Sequence, residues 1–139
     1  MTSEVFLDTA YAIALSVESD EYHQRAEELA EQLEAEKTRL ITTRAVLLEI
    51  GNALSKKRYR QAAVELLDAL EQDLQVEIVL LSEELYERAL ELFRNRPDKD
   101  WGLIDCVSFV VMKEYGLTEA LTTDEHFEQA GFRSLLRNE

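Results

Sequence analysis

Apolar residues along this chain follow two alternating rhythms. Compact apolar runs at residues 5–7, 40–42, 76–80, 119–122 and 132–136 have strand length and are rich in Val, Ile, Leu and Phe, as strands buried within a sheet are. Between them, apolar residues recur every third or fourth position among charged ones, the period of a helix with one face on a core. The Ala-rich residues 9–17 suit a first helix. Residues 20–37 predict a second, with Tyr22, Ala26, Leu29 and Leu33 on one face and Asp20 as N-cap. Thr43 is placed to cap a third, carrying Ala45, Leu48, Ile50 and Leu54, and residues 60–73 predict a fourth through Ala63, Leu66, Leu67 and Leu70. Ser82 then caps a helix through Leu85, Ala89, Leu92 and Phe93, which Pro97 terminates. Helices alternating with strands imply an α/β fold, a three-layer sandwich whose mainly parallel central sheet of about four to five short strands lies between helical layers. No repeat or long linker interrupts the pattern, so residues 1–139 read as a single domain.

Residues 100–127 depart from this amphipathic pattern. Leu103, Ile104, Cys106, Val107, Phe109, Val110, Val111 and Met112 make a helix that is apolar on nearly every side, which predicts a place at the domain centre. Asp105 stands inside that run, and Leu103 and Ile104 before it predict a position past the helix cap. A carboxylate buried in its ionised form is normally paired or bound to a metal, because leaving it alone is so costly. Further on, Asp124 follows the Ala120-Leu121 pair and precedes a short helix.

Composition narrows the classes. A single cysteine, Cys106, and two histidines exclude an intrachain disulfide and a zinc site of the usual Cys/His kind, which fits a reducing cytoplasm. The acids near the N-terminus do not suit a signal peptide, and no apolar run reaches the roughly 18 residues of a membrane span, so neither export nor a membrane is expected. A formal charge of −14 repels phosphate backbones over most of the surface. Two basic clusters stand against it, Lys56-Lys57-Arg58-Tyr59-Arg60 and the trio Arg94, Arg96 and Lys99. Each reads either as a solvated helix end, cations being favoured at helix C-termini, or as a local contact surface.

The positions of the acids carry the chemistry. In an open parallel sheet, ligands bind beyond the carboxyl ends of the strands. Asp8 ends the first strand and Asp124 follows the penultimate one; Glu49 lies about two turns into the helix after the second strand, and the Asp105 helix leaves a loop facing the same edge. Four carboxylates converging there cannot all stay ionised without a counter-charge, and a set of oxygen ligands without paired His or Cys points to Mg²⁺ or Mn²⁺. Each acid also has a plainer reading: Asp8 and Asp124 as N-caps, Glu49 as a solvated helical residue, Asp105 in a structural role. The weight lies in their combination. Asp100 either adds a carboxylate or ends its loop, and Ser108, one turn beyond Asp105, either faces the cluster or packs.

Four segments resemble the acidic motifs of PIN domains: Val5-Phe6-Leu7-Asp8-Thr9-Ala10, Leu48-Glu49-Ile50-Gly51-Asn52-Ala53-Leu54, Trp101 through Phe109 around Asp105, and Leu121-Thr122-Thr123-Asp124-Glu125-His126-Phe127 with Ala130-Gly131-Phe132. Order and spacing are similar across almost the whole chain, above all to the small VapC-type toxin ribonucleases and their stand-alone relatives. The resemblance implies a metal-dependent endoribonuclease that leaves 5′-phosphate and 3′-hydroxyl ends. Asp8, Glu49, Asp105 and Asp124 would hold one or two Mg²⁺ or Mn²⁺ ions, with Thr9 as a hydroxyl beside the first and Ser108 and Asp100 in supporting positions. RNA contact would come from Lys56, Lys57, Arg58 and Arg60. The resemblance also implies a homodimer and a small antitoxin protein that inserts, commonly with an Arg, into the acidic groove.

Gly102 and Ile104 stand where the family often has small hydroxyl residues, so Asp105 is expected to lack that side-chain support. An alternative function is a catalytically weak PIN-fold binding module that mainly engages a protein partner, and the −14 charge favours it. Two other aspartate-rich classes fit poorly. Response-regulator receivers need a phosphoacceptor Asp after the third strand, where Leu81-Ser82 stand, and Asp-x-Asp phosphatases need a second Asp where this chain has Ala10.

Overall fold

A computed structural model of the protein describes residues 3–137. Strand β1 (Glu4–Leu7) leads into α1 (Thr9–Ser16) and α2 (His23–Ala35), and β2 (Arg39–Thr43) into α3 (Arg44–Ala53) and α4 (Lys57–Gln72). Next, β3 (Val76–Val79) precedes α5 (Glu83–Asn95) and α6 (Leu103–Glu114), and β4 (Glu119–Leu121) precedes α7 (Glu125–Gln129) and β5 (Arg133–Ser134). The strands form one parallel sheet in the order β3-β2-β1-β4-β5.

The chain thus steps outward from β1 to β2 to β3, then crosses back to place β4 on the other side of β1. Such a reversal of strand order opens a crevice at the carboxyl ends of the two strands it separates. Leu7 pairs with Leu121 at the end of the β1–β4 ladder, and the Asp8 N–H donates to the Leu121 carbonyl at 3.3 Å. Asp8 and Thr122 therefore emerge side by side at the crevice.

Packing beneath the crevice explains why these ends are fixed. Val5, Phe6 and Leu7 in the central strand are at most 2% exposed, whereas the edge strand β3 is half-buried throughout. Phe109 of α6 meets Trp101 and Phe127 edge-on, each with ring centroids 5.0 Å apart, and Phe127 lies 6.2 Å from Phe6. Edge-to-face pairs of this kind add directional preference to burial, so the starts of α6 and α7 are locked onto β1. Thr43 and Ser82 cap α3 and α5 as the sequence predicts, each accepting from the N–H three residues on at 3.1 Å.

Several boundaries differ from expectation. Helix α2 starts at His23, because the Asp20 carboxylate accepts from the Tyr22 N–H (2.8 Å) in a local turn that competes with the helix. Helix α4 begins at Lys57, which puts the basic cluster at a helix N-terminus, the end where cations are disfavoured. The last strand shrinks to Arg133–Ser134, while Leu135 and Leu136 bury their side chains past it. Among the described residues, no helix is long and apolar enough to cross a membrane.

Candidate active site

Asp8 is the first residue past β1 and is only 6% exposed. It occupies the N-cap position of α1, yet its side chain makes no capping hydrogen bond. Instead Oδ2 accepts from Thr122 Oγ1 at 2.8 Å, and the same Thr122 oxygen accepts from the Asp124 backbone N–H at 3.0 Å. Burial pushes the Asp8 carboxyl up to about 7, against the lowering effect of the Thr122 hydroxyl and the Thr9 N–H; the charges of Glu49 and Asp105 push it further upward. Glu49, in the second turn of α3, accepts a hydrogen bond from Thr9 Oγ1. The consecutive pair Asp8-Thr9 thus ties the end of β1 to both β4 and α3.

Asp105 belongs to a wetter half. It lies in the first turn of α6, past the cap as Leu103 and Ile104 imply, since Gly102 is the N-cap and the helix starts at Leu103. Its Oδ2 accepts from the Gly102 N–H at 3.1 Å and lies 3.0 Å from His126 Nδ1. The residue that lacks a hydroxyl therefore supports Asp105 through its backbone. Asp124 caps α7, its Oδ1 accepting from the His126 N–H at 2.9 Å and lying 3.3 Å from His126 Nδ1. Desolvation raises the Asp105 carboxyl, as does the Asp124 charge, while the Gly102 N–H and His126 work against them. For His126, desolvation lowers the pKa, but the Asp105 hydrogen bond and the charges of Asp124, Asp105 and Glu125 outweigh it and the net shift is upward.

Ligand atoms of Asp105, Asp124 and His126 all lie within 4.8 Å of one another, a spacing that could hold a metal ion. His126 was not among the residues that sequence reasoning singled out. Its signal is its place two residues after Asp124, where the side chain of a first-turn residue folds back beside the cap. Asp8 joins the set electrostatically and through Thr122, and Glu49 through Thr9. A donor set of carboxylates with one imidazole suits Mg²⁺ or Mn²⁺, the nitrogen inclining it toward Mn²⁺.

The remaining residues separate clearly. Ser108 is fully buried and its hydroxyl has no hydrogen-bond partner. Asp100 is exposed and forms no hydrogen bond or ion pair among the described residues. Lys56, Lys57, Arg58 and Arg60 are exposed at the start of α4; Arg60 donates to the Ser55 carbonyl at 2.7 and 3.1 Å, Arg58 lies over the Tyr59 ring, and among the described residues none pairs with a carboxylate.

The sequence profile of the PIN domain matches residues 5–133. The 23S rRNA-specific endonuclease VapC20 of Mycobacterium tuberculosis is 29% identical over 129 residues, covering 92% of this chain and 95% of the relative. The crystal structure of the M. tuberculosis VapC20, a Sarcin-Ricin loop cleaving toxin, superposes with a TM-score of 0.81 at 28% identity, covering 92% of this chain and 95% of the other. VapBC2 from Rickettsia felis, bound to a DNA fragment from its promoter, gives a TM-score of 0.69 at 16% identity over 94% of this chain and 96% of the other, a likeness of fold.

Proposed function

This chain belongs to the PIN domain family, and from that premise we propose that it is a metal-dependent endoribonuclease, the toxin of a toxin–antitoxin pair, built as one domain over residues 1–139. The observation that carries this reading is the cluster of Asp105, Asp124 and His126, with Asp8 near enough to feel the charges of Asp105 and Glu49 and so dry that its carboxyl rises to about 7. Buried like charges of this kind are costly in an isolated protein and become favourable around a cation. The 23S rRNA-specific endonuclease among the relatives supports RNA as the substrate class.

Asp8, Asp105, Asp124 and Glu49 would hold Mg²⁺ or Mn²⁺, and His126 stands within reach as a further donor. When bound, such an ion lowers the pKa of a water and offsets charge developing on the phosphodiester. The chain's own residues set the geometry. Thr122 orients Asp8 and the Asp124 backbone together, Thr9 orients Glu49, and the Gly102 N–H with His126 orients Asp105. Attack of water on phosphorus, with the P–O3′ bond breaking and the departing 3′ oxygen taking up a proton, leaves a 5′-phosphate and a 3′-hydroxyl.

Lys56, Lys57, Arg58 and Arg60 supply a contact for the RNA backbone. Cations in a first helical turn oppose the macrodipole, and with the helix N–H groups they make an anion-attracting surface. The acidic crevice would equally attract an Arg from a small antitoxin, and the family resemblance supports that partner, a homodimer and a cytoplasmic setting. The second reading, a weak PIN-fold binding module, draws on His126, which already pairs Asp105 and Asp124 without any metal. An RNA cleavage assay with Mn²⁺ or Mg²⁺ decides between them. Wild-type protein should cleave and Asp105→Asn should not; equal activity in both, or activity that survives EDTA, contradicts the nuclease reading, and no cleavage by wild type favours the binding module.

A further inference from the structure

A cavity of about 360 Å³ opens beside the first turn of α6, lined by Phe93, Arg94, Arg96, Lys99, Trp101 and Cys106. We infer that it holds a nucleotide of a single-stranded RNA substrate next to the cleaved bond, with the base stacked on Phe93 and the phosphates against Arg94 and Lys99; this rests on the ribonuclease reading above.

Charge is the first argument. In a chain of net charge −14, this wall gathers three cations. One of them is committed: Arg96 is bidentate to Asp98 at 3.0 Å and lies 5.0 Å over the Trp101 ring. Arg94 and Lys99 form no ion pair among the described residues. A solvated helix end accounts for Arg94, which sits in the last turn of α5 where the dipole favours it, but not for Lys99 beyond the helix.

The aromatic residues divide in the same way. Trp101 is 6% exposed and clamped by the Phe109 edge, by a 3.0 Å hydrogen bond from its Nε1 to Gln129 Oε1, and by Arg96, so it makes a rigid wall. Phe93 is 45% exposed, so its ring face is left to solvent in part. A free aromatic face beside unpaired cations is the combination that binds single strands, because every base presents a π-face and every nucleotide a phosphate. Cys106 adds no chemistry, since burial and the Asp105 charge push its thiol up to about 11.

Continuity with the acidic site is the third argument. Cys106 in the wall follows Asp105 directly, and Trp101-Gly102 leads from the cavity into the turn that carries Asp105. A strand whose phosphodiester lies at Asp105 passes this cavity with its neighbouring nucleotide.

The test measures binding of a labelled single-stranded oligoribonucleotide across a salt titration, with the variants made in an Asp105→Asn background so that RNA is retained, and measures cleavage in the active enzyme. Arg94→Ala with Lys99→Ala should weaken binding about tenfold at low salt and reduce the salt slope by about 1.4, the value for two phosphates on a single strand. Phe93→Ala should weaken binding by roughly tenfold with the slope unchanged. In the active enzyme both should raise KM and leave kcat in place, with melting temperatures little changed because Phe93 and Arg94 are exposed and Lys99 only partly buried. If wild type cleaves RNA in Mn²⁺ while all variants bind and cleave as it does, the cavity is not a substrate site and the ribonuclease reading stands. If the variants instead alter the oligomeric mass by light scattering with RNA affinity intact, the surface is a protein interface and the inference is overturned. If wild type neither binds nor cleaves RNA, the inference falls together with the reading beneath it.

Discussion

Asp8 and Asp105 are both carboxylates raised by desolvation, yet only Asp105 has an imidazole beside it. The Asp8–Glu49 half of the site is dry and held by the neutral hydroxyls of Thr122 and Thr9. The Asp105–Asp124 half is wetter and is bridged by His126, whose pKa the two acids raise. The difference separates two tasks. One half has an imidazole between its acids, and in the other the buried Asp8 has only hydroxyl and N–H donors beside it, so the Asp8 half is where metal binding should leave its mark.

Asp8→Asn should break the comparison most strongly. Cleavage should fall to background, because the driest oxygen ligand is lost, while the metal-free protein should become more stable at neutral pH. The sign follows from proton binding: with a folded pKa of about 7 against an ordinary 3.8, folded Asp8 holds more protons than the unfolded chain through that window. Its contribution to stability is therefore present at low pH and lost as pH rises from about 4 to 7. The raised Asp105 and His126 act with the same sign. Urea midpoints measured in EDTA across this range should decline in wild type and decline less in Asp8→Asn.

His126→Ala tests the other half. It removes the partner of both Asp105 and Asp124, and losing such an orienting neighbour typically costs 10–100-fold in metal affinity or activity. Calorimetry with Mn²⁺ and cleavage kinetics should both register a loss in that range, while the upward position of Asp8 remains. The smallest effect belongs to Gly102→Ser. A Cβ there would sit 3.9 Å from Asp105 Oδ2, an ordinary contact, at a position with no side-chain cap. A Ser hydroxyl should add a few tenths of a kcal/mol to thermal stability and leave cleavage unchanged, since the backbone of residue 102 already holds Asp105.

The four acids were legible in the sequence because each stands where a rhythm changes: Asp8 where an apolar run ends, Asp124 where one ends and a helix begins, Asp105 inside an apolar helix, and Glu49 on the helix after β2. The sheet order was not written in any local pattern, since it depends on which way the crossover before β4 returns. Leu103 and Ile104 were enough to put Asp105 past the cap, which is Gly102. The start of α4 was misread. Lys57 to Tyr59 read as outside their helix because three consecutive polar and aromatic residues hide its start. His126 went unseen because its role arises from a helix turn of only five residues that folds it back beside Asp124. For Ser108 the sequence left open a place facing the cluster or in the packing, and its hydroxyl is buried and unpartnered.

The most direct measurement is a calorimetric titration with Mn²⁺ at pH 7 in two buffers of different ionisation enthalpy. Ligand carboxylates must be deprotonated to bind metal, so with Asp8 near 7 the wild-type protein should release about half a proton per ion bound. That release should be smaller by about half a proton in Asp8→Asn. Binding whose heat does not depend on the buffer in wild type, or no Mn²⁺ binding at all, contradicts the assignment of Asp8 as the buried ligand of a divalent cation.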